Sequence, residues 1–128
     1  VSGDRAQQDP LTEGIIACAM QVHSRLGPGL LESAYETCLA YELMKQAYAV
    51  ERQVPVPICY DGMRLDAGYQ MDLVVGTQII LEVKAIEKLL AIHTAQLLTY
   101  LRLSGLKTGL LLNFNVLQLK DGIKRVSN

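Results

Sequence analysis

The stretch Gln78 to Ala85 constrains the fold more than any other. Ile79, Ile80 and Leu81 make a nearly continuous apolar run, as in a strand at a buried position in a sheet. Ile86 to Ser104 follows with helical length, and Gly105 suits the left-handed position that closes a helix. Thr108 to Phe114 is apolar again. A helix between two strands serves as a crossover, so the strand over 108–114 is predicted to run parallel to the strand over 78–85.

Upstream, Asp9-Pro10 marks a helix start, Asp as the cap and Pro at the first helical position. Ile15, Cys18, Ala19, Val22 and Leu26 fall on one helical face, and Gly27-Pro28-Gly29 stops the helix. A second helix is predicted from Leu30 to Ala47, with Leu31, Tyr35, Cys38, Leu39 and Leu43 as its buried stripe. The period then changes to two. Val54, Val56, Ile58 and Tyr60 alternate with Pro55, Pro57 and Cys59 in one predicted strand. Prolines two apart remove N–H donors from the same side, which puts that strand at a sheet edge. Asp61-Gly62 is a hairpin turn, and the next strand lies within Met63 to Val75, interrupted at Asp66 to Gly68. Lys120-Asp121-Gly122 leads into a short last strand over Ile123 to Val126. The expected fold is therefore α/β, a mixed four-stranded sheet flanked by helices, with an extra N-terminal helix and a short C-terminal strand.

A chain of 128 residues suits one domain, expected over 9–128, with the polar segment 1–8 expected to lack order. No apolar run approaches the roughly 20 residues needed to span a bilayer, and no basic-then-apolar leader opens the sequence. Cys18, Cys38 and Cys59 are an odd number without a close pair, so buried thiols in a reducing cytoplasm are expected, not a disulfide framework or a zinc site. The net charge is −1, whereas many nucleic-acid-binding proteins are plainly basic. From Arg102 onward, however, five basic residues stand against Asp121 alone.

Chemistry concentrates in the central strands. Glu82 and Lys84 are two apart, so they share a strand face, and they interrupt apolar sequence. Asp72 does the same one strand earlier. Charged groups there are costly without partners. One reading is a Lys84 ion pair that fixes strand register. The other is a site for a hard divalent cation, with Mg²⁺ suited to two carboxylates plus water and phosphate oxygens. A cation so held acidifies a water and stabilises an attacked phosphate, and Lys84 would orient the nucleophile or stabilise developing negative charge. Sharing a metal requires Asp72 and Glu82 on one face. A two-residue loop, Gly76-Thr77, would pair Val75 with Gln78 and turn the two acids to opposite faces. The three-residue loop Gly76-Thr77-Gln78 pairs Val75 with Ile79, sets Asp72 opposite Glu82 and Gln70 opposite Lys84, and is the predicted turn.

Asp72 … Glu82-Val83-Lys84 resembles the acid … acid-x-Lys core of the PD-(D/E)XK nuclease superfamily, although Met71 stands where its name has proline. Gly29-Leu30-Leu31-Glu32-Ser33-Ala34-Tyr35 is similar to the motif of the GxxExxY proteins, a branch of that superfamily. Leu26-Gly27-Pro28-Gly29, Asn113-Phe114 and Lys120 to Arg125 also look like that branch. The resemblance covers about Leu11 to Val126. It implies a restriction-endonuclease-like core and a metal-dependent nuclease acting on DNA, less so on RNA, with Mg²⁺ or its substitute Mn²⁺ as cofactor. It also implies that Glu32 approaches the metal beside Asp72 and Glu82, in preference to its neighbour Glu36 one turn later. Gln96 and Tyr100 resemble the Gln-x-x-x-Tyr motif of RecB-type nucleases. Spacing of four places them on one helical face as candidate substrate contacts, with a structural polar seam as the other reading. Lys120, Lys124 and Arg125 are candidate phosphate contacts. His93 has no assigned role, and His23 reads as a packed or surface residue.

Two further functions compete with this one. A catalytically silent nuclease-fold protein that binds nucleic acid or protein fits the low charge. A half-site active only as a homodimer fits the exposed edge strand.

Overall fold

The computed structural model describes residues 9–128; the segment 1–8 lies outside the described residues. Helix α1 (Pro10–Leu26) starts where Asp9 accepts a hydrogen bond from the Thr12 N–H at 2.7 Å, and it ends at Gly27, whose φ of 70° suits glycine. Helix α2 (Glu32–Lys45) begins two residues later than its apolar pattern implies. Leu31 is extended at the N-cap and 78% exposed, so it leaves the buried stripe, while Tyr35, Leu39 and Leu43 form it. Leu26, the last residue of α1, is also exposed.

The expected strand over 54–60 is two strands. Strand β1 (Val50–Pro55) lies at the edge of the main sheet, and β2 (Ile58–Tyr60) pairs instead with β3 (Met63–Leu65) in a separate hairpin. The break falls at Val56-Pro57, where the chain bends away after the Val56 N–H bonds the Tyr69 carbonyl at 2.9 Å. Asp61 and Gly62, with φ of 52° and 80°, make the hairpin turn. Cys59 is consequently exposed on this arm, while Cys18 is buried and all three cysteines are free.

The main sheet has five strands in the order β1-β4-β5-β6-β7: β4 (Gln70–Val75), β5 (Ile79–Lys84), β6 (Thr108–Asn113) and β7 (Ile123–Ser127) join β1. Only β5 and β6 are parallel, joined by α3 (Ala91–Ser104). One face packs α1 and α2 through Ile15, Tyr35, Leu39, Leu73, Leu81 and Phe114. The other packs α3 through Leu97 and Leu101 on Ile80 and Leu111. The continuous apolar composition of β5 follows from this covering of both faces. Helix α3 starts at Ala91, later than Ile86, because the Leu90 N–H is taken by His93 Nδ1 at 2.8 Å and residues 85–90 are held as a loop. Among the described residues no helix is long and apolar enough to cross a membrane.

Arg125, on β7, packs toward α1. Its guanidinium lies 3.7 Å from the Asp9 carboxylate and bonds Thr12 Oγ1 at 3.2 Å. Asp9 thus caps α1 and anchors the last strand. Asp9→Ala is expected to lower stability by about 1 kcal/mol, the usual cost of losing such a cap; urea denaturation checks this, and an unchanged midpoint would remove the cap from the account.

Candidate functional site

Val75 pairs with Ile79 across Gly76-Thr77-Gln78, with Val74 opposite Ile80 and Leu73 opposite Leu81. Gly76 and Thr77 take φ of 61° and 53°. This is the three-residue loop and the register that parity demands. The ladder then opens, and no Asp72–Glu82 or Gln70–Lys84 rung forms. Side chains take the place of the missing rungs. The Asp72 N–H donates to Glu82 Oε2 at 3.0 Å, and the Val83 N–H donates to Asp72 Oδ2 at 2.8 Å.

Asp72 is unpaired on its other side as well. Pairing of β1 with β4 runs through Arg52–Leu73 and resumes at Val54–Met71, skipping Gln53 and Asp72. Gln53 has a φ of 50°, left-handed for a non-glycine residue. Here both strands change face: Val50 and Leu73 pack on the α1–α2 side, Val54 and Met71 on the α3 side. Asp72 therefore occupies a break in the sheet, between helices α2 and α3.

Helix α2 brings two acids to this break. Glu32, in its first turn, accepts a hydrogen bond from the Ala85 N–H at 3.3 Å, just past Lys84. Glu36, one turn on, is buried and held by Gln53 Nε2 at 2.8 Å and by the Arg52 guanidinium at 3.2 Å. Glu36 is thus no surface residue, and its charge acts on both Asp72 and Glu82.

Burial dominates the electrostatics. Glu82 is 4% exposed, and burial followed by the charge of Asp72 pushes its pKa up to about 8. Burial also raises Asp72, with Glu36 and Glu32 adding to the rise, against the lowering effect of the Val83 N–H. Burial and then the charges of Glu82 and Asp72 raise the Tyr100 hydroxyl, and Tyr100 packs in one buried cluster with Met71, the chain neighbour of Asp72. Lys84 lowers both acids but forms no ion pair with either within 4.0 Å, and no other cationic side chain among the described residues does. A register-fixing Lys84 salt bridge is therefore not what holds the strands.

This donor set fits a hard divalent cation. Two carboxylates disfavour ionisation through burial and mutual repulsion, and a cation between them would relieve both. Glu32 is committed to Ala85, and among the described residues no three His, Cys, Asp or Glu side chains stand together as a metal-ligand group. The structure gathers Asp72 and Glu82, with Glu32 and Glu36 at their margin. Lys120 lies in the 3-10 turn Leu119–Gly122 after β6, while Lys124 and Arg125 are on β7, two strands from Glu82. His23 is buried and bonds the Val116 carbonyl at 2.8 Å, a packing role.

Asn113 has no counterpart in the residue-by-residue reading of the sequence. It is 2% exposed and sits opposite Lys84 in the parallel ladder. Its Oδ1 accepts from the Ile86 N–H at 3.1 Å, and its Nδ2 donates to the Ile86 carbonyl at 3.0 Å. The Phe114 N–H bonds the Lys84 carbonyl at 2.9 Å. Asn113 thus clamps the backbone that leaves Lys84. The available signal was an amide ending an apolar parallel strand. Gly122 belongs to the same device, since a β-carbon there would collide with the Asn113 carbonyl oxygen.

Asn113→Ala leaves the Ile86 N–H without its partner and the Ile86 carbonyl with only the longer bond from Asn115 Nδ2 at 3.5 Å, and is expected to cost about 1–2 kcal/mol, measured by denaturant unfolding; a loss near zero would mean that water replaces the amide without penalty. Glu82 gives a pH prediction. Its folded pKa lies above the ordinary 4.5, so ionisation works against the folded state. In chelator, the melting temperature of the unsubstituted protein should fall as pH rises from about 4.5 to about 8, and Glu82→Gln should flatten that decline. Parallel profiles would show that Glu82 is not the group responsible.

No curated protein and no solved structure gives a significant match to the chain. The family model of the PD-(D/E)XK nuclease superfamily does match, over residues 9–126, from the cap of α1 to the last strand and across every residue of the break. On that match, and with an α/β fold of the restriction-endonuclease-like kind, the chain belongs to the PD-(D/E)XK nuclease superfamily.

Proposed function

We propose that this protein is a divalent-cation-dependent phosphodiesterase that cleaves DNA. The observation that carries the proposal is an acid pair, half-buried Asp72 and buried Glu82, at a break in the sheet, with Lys84 on the strand of Glu82 and in no ion pair among the described residues. Asp72 and Glu82 would hold Mg²⁺, with Mn²⁺ as a substitute, and Glu32 would approach it directly or through water. The cation supplies Lewis acidity toward a phosphate oxygen and lowers the pKa of a water.

The chain's own groups do the rest. Lys84, in no ion pair among the described residues, orients the nucleophile or stabilises charge on the attacked phosphate. Asn113 fixes the backbone at Lys84, so the ammonium starts from a rigid base. Gln96 and Tyr100, four apart on α3, contact substrate or the carboxylates. Lys120 and Lys124 form no ion pairs among the described residues and could follow the phosphate backbone. Arg125 is already engaged by Asp9 and Thr12, which leaves it a smaller share. A silent binding module has no use for a lysine without an ion pair among the described residues on the strand of a buried acid, so catalysis is the favoured reading.

The experiment is metal-dependent cleavage of single-stranded, duplex, flapped and branched DNA, with RNA alongside. Lys84→Ala should lower kcat by about 100-fold or more. Glu82→Gln should abolish Mn²⁺ binding in titration calorimetry while far-UV circular dichroism stays native. Cleavage that survives in both variants, or no cleavage of any substrate by the unsubstituted protein, would defeat the proposal.

A further inference from the structure

A cleft of about 230 Å³ opens between α3 and the chain on either side of the β2–β3 hairpin. Val56, Ile58 and Leu103 supply apolar walls, Tyr69 and Tyr100 supply rings, and Gln96 supplies an amide. Resting on the phosphodiesterase reading, we infer that this cleft is a slot for one unpaired nucleobase, and that the substrate is a strand single-stranded or locally opened beside the scissile phosphate.

Position is the first argument. Tyr100 lines the slot and packs in the same buried cluster as Met71, the chain neighbour of Asp72. Tyr69 immediately precedes β4 and is fixed by its carbonyl bond from the Val56 N–H. Asp72 lies three positions further along the chain, about 10 Å at the usual rise. That is comparable with the reach from a phosphate to the far edge of its base within one nucleotide.

Size and chemistry supply the second argument. The cleft is smaller than the roughly 300–1,000 Å³ of pockets for drug-sized ligands, so it suits one flat ring system and not a base pair. A half-exposed tyrosine offers a stacking face that tolerates any base. The Gln96 amide makes no hydrogen bond to other described residues and is free to meet polar atoms on a base edge. Beyond the mouth, the hairpin exposes Tyr60, Met63 and Leu65, an apolar surface on which neighbouring bases can rest. A base stacked within a duplex cannot enter the slot without leaving its partner.

The test uses three fluorescent probes: a short single strand, its duplex, and the same strand with stable abasic sugars around its centre. Anisotropy in Ca²⁺ reads binding. The unsubstituted protein should bind the base-bearing strand about tenfold or more tighter than the abasic strand and the duplex. Thr99→Trp, which fills the slot from α3, and Tyr69→Ala, which removes the stacking face, should erase that preference while thermal melting confirms folding. Equal affinity for base-bearing and abasic strands would overturn the slot, as would variants that keep the preference. Affinity that falls as protein concentration rises would assign the surface to a second copy of the chain and also overturn it. Cleavage in Mg²⁺ separates the two readings. A protein that cuts the abasic strand but shows no base preference keeps its phosphodiesterase chemistry and loses the slot. One that binds bases selectively and cuts nothing keeps the slot and loses the chemistry.

Discussion

Two carboxylates that replace a stretch of sheet ladder govern this fold. Beyond Leu73–Leu81, β4 and β5 no longer pair, and Asp72 and Glu82 accept the N–H groups of Val83 and Asp72 instead. The Asp72 and Val83 N–H groups that the ladder no longer pairs are thus satisfied by side chains. The acids are not satisfied electrostatically. Hydrogen bonds from N–H groups favour their ionised forms, yet burial outweighs that help in both. A protein gains nothing in stability from such a pair, and breaches of packing rules of this kind concentrate where a chain does chemistry.

The rest of the structure holds this break open in one geometry. Tyr35, fully buried, donates to the Gly27 carbonyl at 2.6 Å and accepts from the Leu30 N–H at 3.1 Å, closing the α1–α2 loop. Its ring stacks on Phe114 at 4.6 Å between centroids, and the Phe114 N–H binds the Lys84 carbonyl. The Gly29 to Tyr35 motif therefore acts on the end of β5 through a short series of contacts. The same loop sets Glu32 at the start of α2, where a negative side chain is favoured by the helix dipole and reaches Ala85.

What could be read in the sequence was whatever depends on near neighbours in the chain. The cap at Asp9, the stop at Gly27 and the hairpin at Asp61-Gly62 follow from local chemistry, the parity of the Gly76 turn follows from requiring Asp72 and Glu82 to share a face, and the structure has each of them. Two element starts were misplaced for a different reason. Leu30 and Ile86 look helical by composition, but side chains take their backbone groups: the Tyr35 hydroxyl, five residues on, in one case, and the Asn113 amide, 27 residues away, in the other. Of the site, the acid pair and lysine stood out because charge interrupts apolar strands. Glu36 did not, because its burial depends on Arg52 and Gln53, and on a left-handed Gln53 that no residue pattern announces. A helix face signals that Glu32 and Glu36 are neighbours; it does not signal which of them the strands will cover.

The overall charge of −1 looks ill suited to a phosphate polymer until the sources of affinity are separated. A protein that grips duplex DNA by its backbone needs many Lys and Arg contacts, and its affinity falls steeply with salt. In the proposed reading this chain needs few. Positive charge arrives with the cation held by Asp72 and Glu82, and Lys84 adds one ammonium at the reacting phosphate. The remaining affinity comes from stacking in the slot between α3 and the chain flanking the β2–β3 hairpin, where the contacts are mainly apolar and little affected by ionic strength. The few free basic residues after β6 then serve to guide the strand instead of holding it. A near-neutral composition is what a small enzyme of this design would be expected to have, because a strongly basic surface would draw it onto duplex DNA that cannot enter the slot.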